Sequence, residues 1–214
     1  MNEPAVAQRL AQLKERVALR AVRGPVALCA VTKGFGADAV ALAQRLGCDA
    51  VGENYAQETL EKMSDFAGQR PPVHFIGRLQ SNKIRLLVGV VDVWQSIDRA
   101  SLIDELAKRA PGAQMYVQVN ATGEPDKGGC DLGDTPALVA HARSAGLTVL
   151  GLMTVGPTEP DAARTTAAFG AVRSLADDLQ LHGCSMGMSG DLDLALAAGS
   201  TLVRVGTALF GDRP

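Results

Sequence analysis

Short apolar runs alternate with amphipathic segments along almost the whole chain. The first segment, residues 3–22, carries an apolar stripe at steps of three and four, which predicts an amphipathic helix that ends at Gly24-Pro25. Eight apolar runs of strand length follow, and stretches with helical periodicity separate them. The stripe consists of Val6, Leu10, Leu13, Val17 and Ala21, and the runs are 26–31, 49–52, 73–77, 90–95, 114–120, 148–153, 183–186 and 201–206.

This alternation predicts a parallel sheet whose strands are connected by helices. Eight strand–helix units fit a closed barrel, and a chain of 214 residues lies at the lower end of the length range of that fold. We therefore predict an α/β fold, a single (β/α)₈ TIM barrel domain over residues 1–214 with an extra N-terminal helix. An open, doubly wound sheet is the alternative. Against it, the first strand is followed by Lys33-Gly34-Phe35-Gly36-Ala37-Asp38, which lacks the Gly-x-Gly-x-x-Gly pattern of dinucleotide sites.

Composition and charge argue against several classes of protein. Basic and acidic side chains number 21 and 23, so no general electrostatic attraction to nucleic acid or to an anionic membrane is expected. No apolar stretch has the length of a membrane span, and the charged N-terminal segment does not resemble a signal peptide. The four cysteines show neither metal-ligand nor C-x-x-C spacing, which predicts reduced thiols, no metal site and a cytoplasmic location.

Lys33 lies where a buried strand opens into a loop. The run 26–32 is almost wholly apolar and glycines follow it, which is typical of a strand buried on both faces. An amine is costly to keep charged in such a place, so its pKa can fall toward neutrality. A neutral, positioned lysine amine is what Schiff-base formation with an aldehyde requires. The alternative is an ordinary lysine that extends its ammonium group from the strand end into solvent.

Polar residues also collect at the ends of the last two strands. Arg204 alternates with Val203 and Val205, so it points into the barrel if the valines face the helices. An unpaired guanidinium there would be very costly, and its partner is either a carboxylate or a ligand atom. Two glycine motifs, Ser189-Gly190 and Gly206-Thr207, follow strands seven and eight and lie near predicted helix starts. The ends of these two strands are the usual phosphate position of this barrel. The alternative for Ser189 is an ordinary helix N-cap.

Three other candidate residues have simpler structural explanations. Asn54 would cap the helix that starts at Tyr55. His74 lies inside an apolar strand, where a hydrogen-bonded core histidine is more common than a catalyst. Met186 is most simply a packing residue.

Seven segments near these strand ends follow one another from residue 30 to residue 211. They are AVTK at 30–33, GENYAQE at 52–58, HFIGRLQSNK at 74–83, VQVN at 117–120, GLM at 151–153, SMGMSGD at 185–191 and VRVGTALFG at 203–211. Together they resemble the YggS/PROSC group, the pyridoxal phosphate homeostasis proteins, which share the barrel of alanine racemase. The similarity covers nearly the whole chain.

The resemblance implies that the chain binds pyridoxal 5′-phosphate (PLP) as a Schiff base on Lys33. It also implies a phosphate site, a partner for the pyridine nitrogen and a ring pocket. Ser189, Gly206 and Thr207 would form the phosphate site. Arg204 would face the pyridine nitrogen. Asn54, His74 and Met186 would line the ring pocket.

Arg204 also bears on the choice between a carrier and a catalyst. A cation at the pyridine nitrogen disfavours protonation of the ring and weakens it as an electron sink. Racemisation further needs a second acid–base group, which alanine racemase takes from another domain across a dimer. Tyr55 and Tyr116 are the only tyrosines here, and neither is an obvious substitute.

We therefore predict a monomeric PLP-binding protein with no catalytic residues, which stores, buffers or delivers the cofactor inside the cell. Apo forms of PLP-dependent enzymes would be its transient recipients. The first alternative is a low-activity amino-acid racemase that uses PLP. The second is a barrel that acts on a sugar phosphate, with Lys33 attacking the carbonyl of the substrate.

Overall fold

Eight parallel strands close into a barrel in chain order in the computed structural model, which describes residues 1–64, 66 and 70–212. The strands are β1 (Ala27–Val31), β2 (Ala50–Glu53), β3 (Val73–Phe75), β4 (Val93–Ile97), β5 (Gln114–Gln118), β6 (Thr148–Met153), β7 (Gly183–Ser185) and β8 (Leu202–Val205). Each predicted run overlaps one of them, although β2 and β4 extend beyond the ends of their runs. Because β1 pairs with both β2 and β8, the (β/α)₈ barrel is confirmed and the open sheet is excluded.

Helices surround this barrel. They are α1 (Glu3–Arg20), α2 (Ala37–Arg45), α3 (Ala56–Ser64), α4 (Ser81–Leu87), α5 (Ala100–Arg109), α6 (Thr135–Ser144), α7 (Ala162–Asp178), α8 (Leu192–Ala197) and α9 (Thr207–Phe210). The sequence pattern predicts a helix over 55–66, and Asp65 in this range lies outside the described residues. The short helix α9 begins at the helix start predicted near Gly206-Thr207, but its extent was not predicted. Within the described residues, no helix combines the length and the apolarity needed to cross a bilayer.

The extra N-terminal helix packs as its apolar stripe predicts. Val6, Leu10, Leu13 and Val17 are all buried in the main core. The Arg9 guanidinium donates to two carbonyls at the end of α9, from Nε to Leu209 O at 2.7 Å and from Nη2 to Phe210 O at 3.2 Å. A cation at a helix C-terminus satisfies carbonyls that lack helical partners. Helix α1 therefore holds the short helix that follows β8.

The four cysteines are free thiols, and three of them are buried. Burial raises the pKa of the Cys29 thiol to about 12, so it stays protonated and packs as a small apolar side chain. Cys184 is likewise fully buried in the main core, and burial raises the pKa of its thiol to about 11.

Candidate functional site

A cavity of about 170 Å³ opens at the carboxyl ends of β1 and β8, the end of the barrel where active sites form in this fold. Four of the eight predicted site residues line it: Lys33, Arg204, Gly206 and Thr207. The remaining lining residues are Val31, Phe35, Ile76, Met188 and Gly211. The cavity thus combines an amine, a guanidinium and a hydroxyl with an apolar wall.

The backbone of β1 and the turn after it determine the position of Lys33. Thr32 is fully buried, and its N–H donates to Gly52 O at 3.0 Å, so pairing with β2 continues to the residue before Lys33. Gly34 then adopts a φ of 76°, a left-handed conformation that glycine reaches without a steric penalty. Lys33 therefore leaves the strand half-buried and at the cavity wall.

Arg204 extends inside the barrel, as its alternation with two valines predicts. Its side chain donates from Nη1 to Ser185 O at 2.7 Å and to Ser185 Oγ at 2.6 Å, and from Nη2 to Thr154 O at 2.8 Å. All three acceptors are uncharged. Burial lowers the pKa of Arg204 to about 10, so the side chain is still a cation at neutral pH. From the sequence, the expected partner of Arg204 was a carboxylate or a ligand atom. In the structure, two backbone carbonyls and one hydroxyl accept its hydrogen bonds.

A buried hydrogen-bond chain connects Arg204 to His74 across the barrel. Ser185 Oγ lies 2.6 Å from Gln95 Oε1, and Gln95 Nε2 lies 2.6 Å from His74 Nδ1. A guanidinium only donates, so Ser185 Oγ accepts from Arg204 and donates to Gln95 Oε1. Gln95 Nε2 must then donate to His74 Nδ1. The donor-only guanidinium of Arg204, acting through this chain, thus fixes His74 as the tautomer that carries its hydrogen on Nε2.

His74 is expected to make the protein less stable in mild acid. Burial lowers its pKa from 6.5 to about 4, so between these values the unfolded chain binds a proton that the folded chain does not. The contribution of His74 to the free energy of unfolding is fully present above pH 6.5. It should be lost as the pH falls to 4, which lowers the free energy of unfolding by about 3 kcal/mol. Urea unfolding at several pH values should show this loss in the wild type and a smaller one in His74→Gln.

His182→Gln is the matched control for His74→Gln, because His182 is an exposed histidine in the loop before β7. It should show the wild-type dependence on pH. An unfolding free energy of His74→Gln that falls as steeply as that of the wild type would contradict the burial of a neutral His74.

Ser189 belongs to the corner formed by Gly206 and Thr207, although it lies seventeen to eighteen positions earlier in the chain. Its Oγ accepts from Ala208 N at 3.1 Å, and α8 takes Asp191 rather than Ser189 as its N-cap residue. Because the oxygen accepts this bond, its own hydrogen is available to a further acceptor. The corner thus has two hydroxyl groups and the backbone at the start of α9, a donor set suited to an anion.

Asn54, His74 and Met186 lie outside the set of residues that line the cavity. The side-chain oxygen of Asn54 is buried with no hydrogen-bond partner, so it does not cap α3. Met186 is fully buried in the main core, which agrees with a packing role, whereas Met188 lines the cavity. Sequence reasoning missed Phe35. The centroid of its ring lies 5.3 Å from that of Phe210, and the two residues are too far apart in the chain for their spacing to indicate the contact.

Gly77 brings the ends of β2 and β3 unusually close together. A Cβ atom at this position would lie 2.0 Å from Asn54 O, so only glycine fits without a backbone shift. The backbone of Asn54 therefore packs directly against Gly77.

Comparison with known proteins places this barrel in a family. The family described as alanine racemase, N-terminal domain, matches residues 2–214. The pyridoxal phosphate homeostasis protein of Pseudomonas aeruginosa is 38% identical over 220 residues, which cover 97% of this chain and 96% of the relative. The homonymous protein of Vibrio cholerae is 38% identical over 205 residues, which cover 89% of this chain and 87% of the relative.

Solved structures agree with the sequence relatives. PipY of Synechococcus elongatus with PLP bound has a TM-score of 0.83 and 33% identity, covering 96% of this chain and 100% of that chain. Alanine racemase of Corynebacterium glutamicum, with a TM-score of 0.76 and 18% identity, covers 99% of this chain and 62% of that chain and supports the fold alone. The chain therefore belongs to the pyridoxal phosphate homeostasis protein family, whose barrel is the N-terminal domain fold of alanine racemase.

Proposed function

We propose that this protein binds PLP covalently on Lys33 and serves as an intracellular carrier that stores, buffers or delivers the cofactor. Residues 1–214 act as one binding domain. The observation that carries the proposal is the cavity that brings Lys33 together with Arg204, Gly206 and Thr207. The homologues named for PLP homeostasis and the PLP-bound PipY structure support it.

The donor set of the cavity fits PLP in its charge and in its chemistry. PLP, when bound, supplies an aldehyde, an electron-withdrawing pyridine ring and a dianionic phosphate. The Lys33 amine would bond to the aldehyde carbon, and the aldehyde oxygen would leave as water with both amine hydrogens. Ser189, Gly206 and Thr207 would donate to the phosphate, and the apolar wall would cover the ring.

The other predicted residues have roles around the ring. Arg204 would face the pyridine nitrogen, and its buried cation would disfavour a proton there. Asn54, His74 and Met186 would surround the ring from behind the lining residues. The side-chain oxygen of Asn54 is buried without a hydrogen-bond partner, which costs free energy. A hydrogen-bond donor on the ligand would offset this cost.

The position of the tyrosines supports a carrier rather than a racemase. Tyr55 is 59% exposed on the surface. Tyr116 is buried, and burial raises its pKa to about 12, which makes it a poor acid–base group at neutral pH. Neither residue lines the cavity. The cytoplasmic location, the monomeric state and the transfer of PLP to apoenzymes stay predictions from the sequence.

Titration of the purified protein with PLP tests the proposal. We expect a visible absorption band that saturates near one equivalent of PLP and that borohydride converts into a permanent attachment. Pyridoxine 5′-phosphate, which lacks the aldehyde, should produce no band and should slow the appearance of the PLP band. A protein that forms no band, or that forms one with no saturation, would refute specific binding.

Exchange of the Cα hydrogen of alanine with solvent deuterium separates a carrier from a racemase. We expect the PLP-loaded protein to exchange no faster than free PLP at the same concentration, because the described residues that line the cavity include no second acid–base group suited to this step. Faster exchange across a panel of amino acids would favour the low-activity racemase.

A further inference from the structure

Three charged side chains meet behind the loop that carries Lys33, and none of them lines the cavity. Lys62 Nζ lies 2.7 Å from Glu53 Oε1 and 2.8 Å from Glu58 Oε1, and it donates to Thr32 O at 2.7 Å. An ammonium group has three hydrogens, so these three acceptors match its full donor capacity. We call Glu53, Glu58 and Lys62 the ion triad.

The ion triad holds the backbone on both sides of Lys33. On the preceding side, the Thr32 hydroxyl donates to Glu53 Oε1 at 2.6 Å, in addition to the bond from Lys62 to the Thr32 carbonyl. On the following side, Gly34 N–H donates to Glu58 Oε1 at 2.6 Å. The residues flanking Lys33 are thus tied to one charged cluster.

Stability alone does not explain this cluster. Lys62 is 5% exposed and Glu53 is fully buried, and Glu53 Oε2 has no hydrogen-bond partner. Buried ionic groups rarely stabilise a fold more than apolar packing would, and an unpartnered buried oxygen is a further cost. The contacts that distinguish the cluster are those with Thr32 and Gly34, directly beside Lys33.

We propose that Glu53, Glu58 and Lys62 are positioning residues, which hold the Lys33 loop in the conformation that presents its amine to the aldehyde of PLP. This role rests on the proposed function, in which Lys33 forms the covalent bond with loss of water. A loop ordered before PLP arrives loses little conformational entropy in the bonding step. The triad would therefore act on the rate of covalent attachment rather than on the affinity for the rest of the cofactor.

Glu58→Ala is the mildest substitution in the ion triad, because the Glu58 side chain is 28% exposed and Lys62 keeps Glu53 and the Thr32 carbonyl as acceptors. We expect faster hydrogen exchange at the Gly34 amide and a covalent attachment of PLP that is slower by roughly tenfold, since Gly34 loses a charge-assisted bond. Glu58→Gln keeps an oxygen that accepts from Gly34 and should retain most of the rate. Glu61→Ala, an exposed change on the same helix, should match the wild type in both measurements.

The affinity for pyridoxine 5′-phosphate distinguishes a loss of loop positioning from a general collapse of the site. It should be equal in the wild type and in all three variants. Attachment of PLP to Glu58→Ala at the wild-type rate would overturn the positioning role. A loss of pyridoxine 5′-phosphate affinity as large as the loss of rate would also overturn it. Gly34 exchange is measured without cofactor and so reports on the triad itself. If the Gly34 amide of the wild type is protected from hydrogen exchange but the protein never bonds PLP, the proposed function is overturned, and with it the role assigned here.

Discussion

Lys33→Ala is expected to reduce the covalent attachment of PLP at least about 100-fold, because a positioned amine reacts at an effective concentration that exposed lysines cannot match. Lys33 is the lysine among the residues that line the cavity. The ammonium group of the buried Lys62 is bound by three acceptors. Lys127 is held by Glu124 and by the carbonyl of Gly156. Neither can readily replace the missing amine.

The measurement is the amplitude of the visible band, followed by the mass of the borohydride-treated protein. Lys108→Ala is the matched control, since Lys108 is exposed on α5 and far from the cavity in sequence and in fold. This control should bind PLP as the wild type does. Retention of the wild-type band by Lys33→Ala would show that another residue forms the bond.

Ser189→Ala and Thr207→Val are expected to weaken the preference of the protein for PLP over pyridoxal. Each change removes a hydroxyl from the corner at the start of α9, where Ser189 accepts from Ala208 N and keeps its own hydrogen to donate. A hydrogen bond to a charged group contributes about 1.5–3 kcal/mol, so each change should lower PLP affinity by roughly 10- to 100-fold. The affinity for pyridoxal, which has no phosphate, should stay almost constant.

Equilibrium titrations with both aldehydes measure this preference. Ser174→Ala and Thr166→Val, two exposed positions on α7, are the matched controls and should leave both affinities unchanged. Equal losses for PLP and pyridoxal in Ser189→Ala or Thr207→Val would contradict a phosphate site, because they would indicate a general distortion of the cavity.

The sequence predicts the barrel well because its strands are buried on both faces and therefore appear as uninterrupted apolar runs. The same reasoning finds Lys33, since a lysine at the end of such a run stands out. Arg204 is found because a charged residue between two valines of β8 stands out in an otherwise apolar strand. The extent of helix α9 was not predicted because four residues are too few to show helical periodicity.

Other features of the site depend on contacts that only the folded chain makes. Ser189 meets Ala208 because β7 and β8 are neighbours in the barrel, and the spacing between them in the sequence does not indicate this contact. Met186 and Met188 look equivalent in the sequence, yet Met186 enters the core and Met188 reaches the cavity, with Gly187 between them at a φ of 99°. Lys62 would be expected on the solvent face of an amphipathic helix and is buried instead.

Peptide mapping of the wild-type protein after treatment with PLP and borohydride is the most direct test of covalent binding at Lys33. The reduced adduct is stable, so mass spectrometry can identify the lysine that carries it. We expect one adduct per chain, on Lys33. An adduct on Lys62, on Lys127 or spread over exposed lysines, with Lys33 unmodified, would contradict the assignment of Lys33 as the residue that holds the cofactor.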